Sequence, residues 1–330
     1  MTVRVIVCLD GCGPDYLAAA ETPNLDALAA EGYHTIAEAV VPTVTNVNNT
    51  SIVTARFPET HGITTNYLLD PATGAECYLE SADYLLTGTA FRHVADRGGR
   101  AALFTAKDKL KTLIRDGAGV AESAEKPSPR VVERSGPPPG IYTVEVNHWL
   151  LRAALDQLRR DPPDFLYCST TDYVTHTYPP ESEVAQANIR EVDRLIGEIV
   201  NAAADLELVV TADHGMNAKS WGLDLEEILK ERKIAAQAIP IIKDRHVVHH
   251  RNLGGAAYVY LADPGAEAEA AAALREERGV EAVLSREAAA REYRLHPGRI
   301  GHLFVLADRD TVFGTLAAAI SIAAPVCGLR

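Results

Sequence analysis

Residues 3–11, VRVIVCLDG, decide the fold class: a nearly continuous run of β-branched and apolar residues that ends in Asp10-Gly11. Such a run suits a parallel strand buried on both faces, because a strand with one wet face would alternate polar and apolar residues. An acid at the C-terminal tip of a parallel strand stands where open α/β sheets place their sites. Working outward, RAALFTAKDKL (100–110), DFLYCSTTDYVTHTYPP (164–180) and LELVVTADHGM (206–216) repeat the pattern of an apolar run followed by charged or polar residues. Helical patterns separate them: PNLDALAAEG (23–32), with Pro23 near its start and Gly32 after its end, residues 83–98, VNHWLLRAALDQLRRD (146–161) and residues 181–204. This alternation predicts an α/β fold with a doubly wound, mostly parallel sheet and helices on both faces.

Other segments fill in the outline. HTIAEAVV (34–41) reads as a further strand, YLLDPATGAECYLE (67–80) as a hairpin or excursion over the site, and 116–140, with GPPPG, as a surface loop. After Met216, segments 223–233, 254–262, 266–278 and 280–292 read as helix, strand, helix and strand-plus-helix, a small inserted α+β cap. RIGHLFVLADRD (299–310) is expected to return to the main sheet. The expected division is a metal-binding α/β core over 1–216 and 300–330, with the cap over 217–299.

The chain has 330 residues and a formal net charge of −13, which argues against a nucleic-acid-binding surface, since phosphate backbones need clustered Lys and Arg. A small anionic substrate remains compatible, because a site can be locally basic. The five cysteines are odd in number, and Cys8 and Cys12 lack CxxC spacing, so reduced thiols in a cytoplasmic protein are expected. MTVRVIVCLDG enters a strand directly and no apolar run has the length of a membrane span, so neither a signal peptide nor membrane association is expected.

The stretch VPTVTNVNNTSIVTARFPETHGITTN (41–66) sets Thr43, Thr45, Asn46 and Asn48 close together after AEAVV. NTSIVTARFP carries helical spacing, with Asn48, Asn49 and Thr50 as candidate N-caps. A helix N-terminus favours anions and can hold a hydroxyl as a nucleophile. Three strand ends present acids, Asp10, Asp172 and Asp213, accompanied by His176 and His214. Carboxylates and imidazoles without thiolates suit Zn, Mn or Fe at a hydrolytic site, and so many acids together need positive charge to neutralise them.

CLDGCGPDYL (8–17), PTVTNVNNTSIVTARFPETHGI (42–63), TDYVTHTYPP (171–180) and VVTADHGM (209–216) are similar, in order and spacing, to the four signatures of the alkaline phosphatase superfamily. The branch they resemble is that of nucleotide pyrophosphatase/phosphodiesterases and phosphonoacetate hydrolases. Within it, Thr45-Asn46 followed by Asn48-Asn49, with TAKDKL and HHRNLGG, looks most like the phosphonoacetate hydrolases. The resemblance runs over most of the chain. It implies two divalent metal ions, zinc first, one held by Asp10, Thr45, Asp213 and His214 and the other by Asp172, His176 and a late histidine. It implies Thr45 as nucleophile, with Asn66, Lys107 and Lys109 holding the anionic groups of phosphonoacetate, and a homodimer at family level.

Lys107 and Lys109, two apart on an expected extended segment, should point the same way. Phosphodiesters and nucleotide pyrophosphates are the alternative substrates. Asn46 disfavours them, since that branch usually has an aromatic residue after the nucleophile. The sequence departs from the family at the late histidine: no Ser-His-Gly segment follows LFVLADRD. A water, a neighbouring chain, His296 or His302 would then complete the second site, and a catalytically impaired metal- and anion-binding homologue is the third reading. His249 and His250 match family positions on the cap; His61, in the family's HGI turn, reads as structural.

Overall fold

Val3, Val5 and Val7 point to one face of the first strand, β1 (Val3–Cys8), while Ile6 and Cys8 point to the other, and both faces are covered. The structure, a computed structural model, describes residues 2–70, 73–243, 252–315 and 326–328. β1 lies within a five-stranded sheet with β2 (Ala101–Thr105), β3 (Val120–Ser123), β4 (Phe165–Ser169) and β5 (Leu206–Thr211). The order is β3-β2-β4-β1-β5 and every neighbouring pair is parallel. Leu103 and Tyr167 join Cys8 on one face; Phe104, Leu166 and Cys168 join the valines on the other. This two-sided alternation of buried residues is what the apolar runs encode.

Helices Glu145–Arg160 and Glu183–Val200 pack against each other over the valine face. Leu150, Leu151, Leu195 and Ile196 are at most 1% exposed, and burying each contributes about 1.5–3 kcal/mol. Helix Thr45–Thr54 covers the opposite face. The expected doubly wound architecture is present.

A second sheet is antiparallel, with β6 (Ala236–Pro240), β7 (Ala256–Leu261), β8 (Val280–Ser285) and β9 (Leu303–Ala307) in the order β6-β7-β9-β8. Its strands also have two covered faces. Ala257, Val259 and Val305 pack with Leu229 and Leu274, whereas Tyr258, Ile239 and Phe304 join the core beneath the main sheet. The Tyr258 and Phe304 rings stack at 5.0 Å.

Several sequence expectations need correction. Leu303–Ala307 does not return to the main sheet but pairs with β7 and β8; an apolar strand buried on both faces fits either sheet equally. HTIAEAVV forms no strand. The Asn48 side chain takes the place of a neighbouring strand at Val40, accepting from its N–H at 2.8 Å and donating to its C=O at 2.9 Å. Residues 116–140 are more than a loop, since Val120–Ser123 forms the sheet edge and Pro129–Ser135 is a helix. Ser128 caps that helix and Pro129 opens it, a start signal present in the sequence. Tyr67–Leu69 and Glu76–Tyr78 do pair as the expected hairpin.

Candidate active site

Three neighbouring strands end level with one another: Cys8 of β1 lies opposite Ser169 of β4 and Thr211 of the edge strand β5. The turns that follow deliver Asp10, Asp172 and Asp213, each at most 3% exposed. Gly11 makes the first turn feasible, because its φ is +70° and an added Cβ would lie 2.5 Å from Thr175 Oγ1. Its N–H donates to Asp213 Oδ1 at 3.1 Å, and the His214 N–H donates to the same oxygen at 3.0 Å.

Helix Thr45–Thr54 begins earlier than its asparagines suggest, with Val44 as N-cap and no side-chain cap bond. Its buried polar residues serve tertiary contacts instead of capping, and Thr45 becomes the first helical residue. Thr45 Oγ1 donates to Asp10 Oδ1 at 3.4 Å. Ligand-type atoms of Asp10, Asp172 and His214 all lie within 4.8 Å of one another. His214 Nε2 is 3.4 Å from Asp10 Oδ1 and 3.6 Å from Asp213 Oδ2. His176, on the short helix Tyr173–Thr177, places Nε2 3.0 Å from Asp172 Oδ2.

The lysines are not on an extended segment. Lys107 caps, and Lys109 sits in, helix Asp108–Ile114. They diverge: Lys107 Nζ lies 2.8 Å from Asp172 Oδ1 and 3.6 Å from Asp10 Oδ2, while Lys109 Nζ pairs with Glu80 Oε1 at 3.1 Å. Both nevertheless line one cleft of about 100 Å³ with Thr45, Asn46, Asn66, Asp172 and His176. Glu80, Glu125, Tyr142 and Lys243 also line it and went unread in the sequence. The hairpin expected over the site could have pointed to Glu80, which follows its second strand. A larger hollow of about 280 Å³ lies along β3 with Arg115, Arg130 and Arg134, all exposed and none of them from the acid cluster.

Burial, with Asp172 and Asp213 nearby, pushes the Asp10 carboxyl well up, against the opposing pull of Lys107 and His214. Burial likewise pushes Asp213 up to about 7 despite the Gly11 N–H. It lowers His214, with Asp10 and Asp172 opposing. For Lys107, burial acts downward, yet Asp172 and Asp10 outweigh it and hold the ammonium's pKa raised. Among the described residues, three buried acids therefore share one ammonium, a deficit of positive charge. Asp10 Oδ2 and His214 Nε2 are buried without a hydrogen-bond partner among the described residues. Orphaned carboxylate and imidazole atoms facing one spot fit a divalent cation.

Neither His296 nor His302 joins this cluster: His302 Nδ1 accepts from Leu261 N–H in the second sheet, and His296 precedes the 297–299 turn. His249 and His250 lie outside the described residues, as does most of 316–330. His61 is structural, as expected. Its Nδ1 accepts from Ile63 N–H at 3.1 Å, which leaves Nε2 to donate to Ser51 Oγ at 2.9 Å.

The family model for type I phosphodiesterase / nucleotide pyrophosphatase matches residues 4–317. The chain belongs to this family, within the alkaline phosphatase superfamily. A phosphonoacetate hydrolase from Sinorhizobium meliloti 1021, solved with phosphonoacetate, superposes with a TM-score of 0.93 and 34% identity, covering 99% of this chain and 86% of that one. A venom phosphodiesterase of Naja atra is 29% identical over 230 residues, 66% of this chain and 26% of its own length. A Schizosaccharomyces pombe protein described as an uncharacterized pyrophosphatase/phosphodiesterase is 28% identical over 229 residues, 64% of this chain and 44% of its own. The chain thus spans less than half the length of these curated phosphodiesterase-family relatives. Murine ectonucleotide pyrophosphatase/phosphodiesterase 5, at 19% identity and a TM-score of 0.72, shares the fold. No helix among the described residues is long and apolar enough to cross a membrane.

Proposed function

We propose that the chain is a metal-dependent hydrolase that cleaves the P–C bond of phosphonoacetate, giving acetate and phosphate. The observation that carries this reading is one small cleft in which Thr45 faces Asn66, Lys107 and Lys109. At about 100 Å³ it is well below the roughly 300–1,000 Å³ of pockets for drug-sized ligands and suits a molecule of few atoms. The structural relative solved with phosphonoacetate supports the same substrate.

Asp10, Thr45, Asp213 and His214 would hold one divalent cation and Asp172 with His176 another, with zinc proposed first and manganese or iron as alternatives. A cation bound there lowers the pKa of a neighbouring hydroxyl and offsets charge on phosphoryl oxygens. Thr45 Oγ attacks phosphorus, its proton leaving along the contact to Asp10 Oδ1. The P–C bond breaks and its electron pair moves to the methylene carbon, delocalised over the substrate carboxylate. The Lys107 and Lys109 ammoniums favour that charge, and protonation of the carbon gives acetate. Water then hydrolyses the phosphothreonine, releasing phosphate and restoring the hydroxyl.

Phosphate release from phosphonoacetate with added Zn²⁺, compared between the natural chain and Thr45→Ala, tests the reading. Turnover lost in Thr45→Ala supports it. A second reading, phosphodiester hydrolysis, draws on Tyr142, an aromatic ring in the cleft wall able to stack on a base. Turnover of a nitrophenyl phosphodiester without phosphate from phosphonoacetate would overturn the first reading in favour of the second. Metal bound with neither substrate turned over would indicate an impaired homologue.

A further inference from the structure

We infer that Tyr167 and Asn49 form a positioning relay that sets how tightly the Asp213–His214 end of the acid cluster holds a divalent cation; this rests on the metal reading above. Both side chains are fully buried. Tyr167 Oη donates to Asn49 Oδ1 at 2.7 Å. The Asn49 amide nitrogen donates to Asp213 Oδ2 at 2.9 Å and to the Thr45 carbonyl at 3.0 Å. The amide's two hydrogens and its oxygen are therefore engaged. A flipped amide would set its oxygen against both the Asp213 carboxylate and the Thr45 carbonyl, so these acceptors fix its orientation and the phenol completes it by donating to the amide oxygen.

The relay joins three elements: strand β4, the first turn of the Thr45 helix and the turn after β5. A bond from Asn49 to Thr45 alone would be an ordinary four-residue back-bond within a helix. The bond to Asp213 has no role in the helix; it ties the acid to the residue whose hydroxyl must lie beside it. With Gly11 and His214 N–H groups on Oδ1, Asp213 is oriented through both oxygens. All these donors are uncharged. They aim the carboxylate without neutralising it, whereas Asp172 is paired to an ammonium. The geometry of Asp213 is thus set in advance by neutral donors.

Groups that orient a metal ligand typically contribute about 10–100-fold in metal affinity. Zn²⁺ affinity, measured by competition with a chromophoric chelator in a His176→Ala background, isolates the Asp213–His214 end. Tyr167→Phe, which removes one oxygen, and Asn49→Ala are each expected to raise the Kd by about 10–100-fold. Val53→Ala, a buried core change on the same helix, is expected to lower the melting temperature and leave the Kd unchanged. A Kd that stays within about threefold in both relay variants, or that Val53→Ala shifts equally, overturns the relay and leaves the metal reading standing. A natural chain that binds no Zn²⁺ overturns both.

Discussion

Replacing Lys107 by Met removes an ammonium that sits between Asp172 and Asp10 while keeping most of its volume. With Nζ at 2.8 Å and 3.6 Å from the two carboxylates, the gross attractions are about 6 and about 5 kcal/mol at an effective dielectric constant of about 20. Part of this is offset by the cost of burying the ammonium, so the net loss should resemble the roughly 3–5 kcal/mol seen when one member of a buried pair is removed. For 330 residues, an unfolding entropy of about 2.1 cal/mol/K per residue converts that into a fall in melting temperature of about 4–7 °C. This applies to the metal-free chain. A divalent cation at the acids supplies the missing charge, so with saturating Zn²⁺ the difference should shrink by more than half. Thermal melts of the natural and substituted chains, after chelation and after metal addition, make the comparison. An equal fall in both states, or none in the metal-free state, would refute the argument that Lys107 and a metal answer the same charge deficit.

Other outcomes follow from separate parts of the molecule. His61 is held neutral, its pKa pushed down to about 3 by burial and by Arg299, while the unfolded chain titrates near 6.5. The unfolded state therefore binds the extra proton, and stability should fall by about 1.4 kcal/mol per pH unit below 6.5 and be indifferent to this group above it. Asp213 and Asp10, raised in the fold, contribute with the opposite sign between pH 7 and pH 5, so the slope should appear as the difference between denaturant melts of the natural chain and His61→Gln. Asp193 accepts from the Asn24 N–H and side-chain amide and from the Leu25 N–H, fixing the start of helix Pro23–Glu31, which buries no residue of its own. Asp193→Ala should make the 23–31 amides exchange at least tenfold faster by hydrogen exchange while the acid cluster keeps its metal affinity. Glu80→Gln removes the carboxylate paired with Lys109 and should lower KM for phosphonoacetate about two- to fivefold with kcat unchanged, as expected for a partly exposed pair.

The acids were legible in the sequence because each sits at the end of an apolar run, and the strands carry them into register. What escaped was decided by side chains acting as backbone. HTIAEAVV has the composition of a strand, but Asn48 satisfies Val40 in place of a neighbouring strand, and no residue pattern announces that substitution. Leu303–Ala307 carries the apolar signature of a doubly covered strand, which two different sheets in this chain both satisfy. Lys107 and Lys109 were found as a pair, yet the helix that starts between them sends one inward to Asp172 and the other outward to Glu80. Asn49 was read as a cap candidate; besides the Thr45 carbonyl, its partners lie 118 and 164 residues away along the chain, beyond any local rule.

The level ends of β4, β1 and β5 have a consequence for how such a site can change. Adjacent strands are held about 4.8 Å apart by their hydrogen bonds, so the roots of the turns that carry Asp172, Asp10 and Asp213 are spaced by a fixed step. Spreading the roots of these turns would break a ladder. The cleft walls carry no such restriction. Asn66 and Glu80 flank one hairpin, and Tyr142 and Lys243 come from two further excursions of the chain, none of them within the parallel sheet. Exchanging one excursion for another would reshape what enters the cleft while the spacing of the charge-bearing tips stayed the same.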